Sequence, residues 1–116
     1  MARRVVVGVL SLLGFWHGVS APANAQQLLD DLYGQGVHAF YQGDLETSAR
    51  WLGEAIDQGT RDPRAFYFRG LARLKLGEVK QAEADFARGA EIETAGTDQY
   101  FPVADSLARV QGNARM

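Results

Sequence analysis

A chain of 116 residues, 47% of them hydrophobic and 22% charged, is long enough for one small domain with a core and too short for two of ordinary size. Its formal net charge of −2 argues against a nucleic-acid partner, which calls for a basic stripe, and against electrostatic docking to anionic lipid. With no cysteine, the chain uses neither a disulfide nor a thiolate metal site.

In chain order, the first element is a leader. Arg3 and Arg4 give a short cationic start, residues 5–16 are an apolar run, and Ala23, Asn24 and Ala25 present small residues where a signal peptidase reads. Residues 1–25 therefore read as a secretory signal peptide, with cleavage expected between Ala25 and Gln26 and a mature domain over residues 26–116. The apolar run falls short of the roughly 20 residues that span a bilayer; an uncleaved N-terminal anchor is the alternative. Arg3 and Arg4 lack the rest of a twin-arginine signal, and the absence of cysteine excludes a bacterial lipoprotein. The expectation is export to a periplasmic or secreted location, with no membrane contact after cleavage. Removal of Arg3 and Arg4 leaves 10 basic against 14 acidic side chains, a net charge of −4.

Five helices are expected after the leader. One over residues 27–42 stops at Gly43, and a second over residues 45–58 stops at Gly59. Asp62 and Pro63 start the third, as a carboxylate N-cap and a proline at the first helical position, where the missing N–H costs nothing. It carries Phe66, Tyr67, Leu71 and Leu74 at helical spacing and ends at Gly77. Glu78 opens the fourth, with Val79, Ala82, Phe86, Gly89 and Ala90 on one face. After a loop over residues 94–97, Val103, Leu107 and Val110 mark a fifth, beginning near Pro102 and closed by Gly112.

The first four helices repeat. Gly36 and Gly43 recur 34 residues on as Gly70 and Gly77, and the same shift lays Tyr33 on Tyr67, Val37 on Leu71, Ser48 on Ala82, Leu52 on Phe86 and Ala55 on Gly89. Small residues at Gly36, Ser48 and Ala55, and at Gly70, Ala82 and Gly89, let paired antiparallel helices approach closely. The spacing of Gly70, Gly77, Ala82 and Phe86 resembles the tetratricopeptide (TPR) signature; residues 29–62 match it loosely, with Ser48 and Leu52 at the last two positions. The resemblance implies an all-α, TPR-like α-solenoid of two helix–turn–helix repeats, about residues 29–62 and 63–96, with a C-terminal capping helix at about 99–111. Such arrays normally need about three units to bury their faces, so the fifth helix is expected to cover the open end of the second unit. An open face paired with another copy or a partner is the alternative.

No catalytic constellation is found. His38 is the single histidine after the leader, too few for a usual zinc site. Neither Ser48 nor Ser106 lies in a nucleophile elbow, and Asp30 with Asp31, or Glu83 with Asp85, point away from each other on a helix. The reading is a non-enzyme without metal or cofactor. What remains is the groove that first helices line in TPR arrays. By resemblance its lining falls on Asp30, Tyr33, Val37, Phe40, Tyr41, Arg64, Tyr67, Leu71, Leu74 and Lys75, an aromatic and aliphatic strip with basic residues beside it. The carboxylate clamp of some family members is not supported, because Tyr33 and Tyr67 stand where lysine is wanted and Val37 and Leu71 where asparagine is wanted. Two functions follow: an exported module that binds a protein or peptide segment in this groove, or a structural subunit that self-associates as a homo-oligomer or docks on a larger envelope assembly. Trp51 is the discriminating residue, since an exposed tryptophan there favours the second.

Overall fold

The computed structural model describes residues 22–97 and 101–115. They form five α-helices with no strand among the described residues: α1 (Pro22–Tyr41), α2 (Leu45–Asp57), α3 (Pro63–Lys75), α4 (Val79–Ile92) and α5 (Val103–Arg115). Residues 1–21, and with them most of the expected signal peptide, lie outside the described residues. Helix α1 begins at Pro22 and not near residue 27, so the expected cleavage point lies within its first two turns. Among the described residues no helix is long and apolar enough to cross a membrane.

Helices α1 to α4 each pack on the next, and α3 also touches α1 and α5. The breaks between helices share one chemistry. Gly43, Gly59 and Gly77 have φ of 82°, 92° and 88°, a region that L side chains rarely adopt. That conformation turns the following N–H back onto the helix: Asp44 N donates to Ala39 O, Thr60 N to Ala55 O and Glu78 N to Arg73 O. Asp44 then caps α2 through Thr47 N, and Asp62 caps α3 through Arg64 N. Glu78, which aligns with Asp44, makes no side-chain cap bond.

Helix pairs approach where side chains are missing. A Cβ on Gly36 would lie 2.5 Å from Leu52 Cγ, and one on Gly70 2.5 Å from Phe86 Cε1. These equivalent contacts stand 34 residues apart and hold α1 to α2 and α3 to α4 in the same way. Ser48 Oγ donates to Gly36 O at 2.8 Å in the first pair. The central cluster of buried residues is Phe40, Leu52, Ala65, Phe68 and Ala72.

The second pair has a further lock. Asp85, 3% exposed, accepts from Arg69 Nε and Nη2 at 3.0 and 2.8 Å and from Arg73 Nη1 at 3.0 Å. Thirty-four residues earlier the same positions hold Trp51, Gln35 and Ala39, which line one surface depression. The first pair thus puts an indole where the second puts an ion pair.

Three expectations about the C-terminal part are corrected. The loop after α4 is a wide helical turn over Glu93–Thr97, broken at Gly96 with φ 91°. Gly112 does not close α5, which runs on to Arg115. Helix α5 does not cover the open end of the second pair: it lies against α3 and the core behind it. The outer face of α4 needs no such cover, since Lys80, Glu83, Ala84, Ala87, Arg88 and Glu91 are all exposed there, with Arg88 paired to Glu91 at 3.1 Å.

Candidate functional site

Phe68 organises the groove between α1 and α3. It is fully buried and meets Tyr33, Phe40 and Tyr41 edge to face, at centroid distances of 6.2, 5.4 and 6.1 Å. Tyr33, Val37, Tyr41 and Leu71 are half-buried around that cluster. Helix α5 closes over them, with Val103 and Ser106 buried and Leu107 and Val110 packed against the same core. Arg109 of α5 stands 6.0 Å over the Tyr41 ring.

Arg64 sits at the polar end. Its guanidinium forks onto Asp62, with Nη2 2.7 Å from Oδ2 and Nε 3.0 Å from Oδ1. It also stacks 4.4 Å over Tyr33 and 5.5 Å from the Phe101 ring, and Nη1 reaches Ser106 Oγ at 3.4 Å. Burial works against the charge on Arg64, but the bonded Asp62 carboxylate outweighs it and raises the pKa above its ordinary value. Burial likewise pushes the Tyr33 hydroxyl up, offset in part by Arg64.

The hydroxyls of Tyr33 and Tyr41 are buried without a hydrogen-bond partner. Ser106 lies near enough to Tyr33 to favour its ionised form by hydrogen bonding, but its single proton is given to Pro102 O at 2.9 Å. An unsatisfied buried hydroxyl costs about 1–3 kcal/mol, so α5 fits the shape of this groove better than its polarity.

The expected lining divides accordingly. Tyr33, Val37, Phe40, Tyr41, Arg64 and Leu71 come together, although Phe40 is 7% exposed and belongs to the core. Tyr67 does not join them. Its ring fills the space over Gly89, whose Cβ would lie 2.8 Å from Cε1, and its hydroxyl donates to Glu93 Oε1 at 2.6 Å. Burial and the Glu93 carboxylate push its pKa up to about 12. Leu74 is 45% exposed, and Asp30 and Lys75 are exposed. Phe68, Phe101, Ser106 and Arg109 are the groove residues that sequence reasoning missed. The run Phe66, Tyr67, Phe68 was the available signal, since three consecutive aromatics on one helix must serve three different faces.

A second surface lies along α1 and α2. Trp51 is half-buried and borders a depression of about 420 Å³ lined with Leu28, Leu32, Arg50, Glu54 and Gln58; Leu28 is 46% exposed. Among the described residues no group of three or more histidine or acidic side chains is arranged to hold a metal ion. The chain matches no protein-family model, no curated protein and no solved structure.

Proposed function

We propose that this chain is an exported, non-enzymatic protein–protein interaction module, a two-repeat TPR-like α-solenoid that seats a protein or peptide segment in the groove between α1 and α3. The observation that carries the reading is that an amphipathic helix already lies there: α5 rests on Tyr41, Arg64 and the Phe68 cluster. The equivalent close contacts of Gly36 with Leu52 and Gly70 with Phe86 support the repeat architecture. Export rests on the leader, and the rigid aromatic strip suits recognition by packing without a cofactor.

The half-buried Trp51 beside exposed Leu28 favours a second reading, in which the face of α1 and α2 docks on another copy or on an envelope assembly. Site-specific photo-crosslinking in the producing cell separates the two. A photoreactive residue at Leu71 is expected to label a second protein, whereas one at Trp51 labels none. Labelling of a partner from Trp51, with Leu71 reaching only α5, would overturn the groove reading in favour of the docking face.

A further inference from the structure

We infer that α5 is a displaceable occupant of its own groove, and that the groove's external partner is an amphipathic helix bringing branched apolar residues and a side-chain amide or carboxylate on one face. The inference rests on the reading of that groove as a binding site. Helix α5 supplies the template: Leu107 and Val110 pack against the aromatic cluster, and Val103, one turn earlier on the same face, is buried. A 13-residue helix is near the lower limit for independent stability, so α5 depends on its seat. Its hold on that seat is weak in polar terms. Among the described residues its polar ties to α1–α4 are long ones, Arg64 Nη1 to Ser106 Oγ at 3.4 Å and the Arg109 guanidinium 6.0 Å over the Tyr41 ring.

The seat also records what α5 lacks. The hydroxyls of Tyr33 and Tyr41 remain unpaired beneath it, and Arg64 directs Nε and Nη2 at Asp62. A helix that offers a carbonyl or carboxylate oxygen to these hydroxyls removes the penalty that α5 leaves in place. The covalent connection works in the opposite direction. Tethering through Gly96 and the segment before Val103 keeps α5 at high local concentration, so a better-matched partner must outcompete an intramolecular one. The groove is therefore guarded against loosely matching helices.

The test uses the full chain and a fluorescent peptide of residues 101–115. Leu107→Asp puts a charge on the seated face of α5, and Val110→Asp serves if that variant loses its helical signal. The peptide is expected to bind the Leu107→Asp chain at least about tenfold more tightly than the wild type, because the tethered helix no longer competes. Adding Tyr33→Phe and Tyr41→Phe to that chain is expected to tighten the peptide further, since the peptide shares α5's mismatch. Equal binding to wild type and Leu107→Asp overturns displacement while leaving the groove reading standing. Failure to bind either folded chain overturns both, and weaker binding after the tyrosine changes overturns the assignment of partner polarity.

Discussion

Gly36 carries more of this fold than its size suggests. A methyl there would meet Leu52 Cγ at 2.5 Å and approach Leu52 N to 3.3 Å, and Leu52 is fully buried. Alanine gains about 1 kcal/mol in helix propensity, but overpacking a core of this kind costs about 1–3 kcal/mol. Gly36→Ala is therefore expected to lower the urea midpoint, and more than Gly70→Ala, where the half-buried Phe86 ring has room to give. An unchanged or raised midpoint would show that α1 and α2 are not held at this separation. Tyr67 supports a pH prediction. Its pKa rises from 10.0 in the unfolded chain to about 12 in the folded one, so the folded state keeps the proton longer. That contribution is full below pH 10 and is lost as pH rises toward about 12; Tyr67→Phe is expected to flatten alkaline unfolding across this window, followed by circular dichroism against pH. Both tight glycines were legible from the repeat. The destination of Tyr67 was not, because spacing says which residues share a stripe and not that Glu93 would take the hydroxyl.

At the scale of elements, α3 and α4 are joined by charge at the positions where α1 and α2 carry Gln35, Ala39 and the half-buried Trp51. Asp85→Ala leaves Arg69, whose side chain is 16% exposed, without its carboxylate. Breaking a buried pair in this way costs about 3–5 kcal/mol, and partial exposure of Arg69 and Arg73 puts the expected loss at the lower end, measurable by denaturant titration. A loss within experimental error would show that the cluster is solvated. Helix starts and stops were well written in the chain: Asp62 with Pro63, and Gly43, Gly59 and Gly77, all act where they stand. The docking of α5 was not. Val103, Leu107 and Val110 announce a buried face, but periodicity does not say what covers it. The polar outer face of α4 held the missing information, since a surface already charged at Lys80, Glu83, Arg88 and Glu91 asks for no cap.

On the scale of the whole molecule, the chain reads as a small body of four packed helices with a fifth laid into its groove. The all-α class and the two helix pairs could be read in advance, because a 34-residue period repeats both turn chemistry and small-residue contacts. The site was legible only in part. Tyr33, Val37, Tyr41 and Arg64 were named, but their closure by the same chain depends on a long-range contact that no local pattern encodes. Native-state hydrogen exchange on the full chain tests the central claim, that α5 leaves its seat while α1–α4 stay folded. The amides of residues 103–112 are expected to exchange through a local opening, much faster than those of α3 and with little sensitivity to dilute denaturant. Protection of α5 equal to that of α3, lost only in global unfolding, would make it a fixed part of the core and contradict the account.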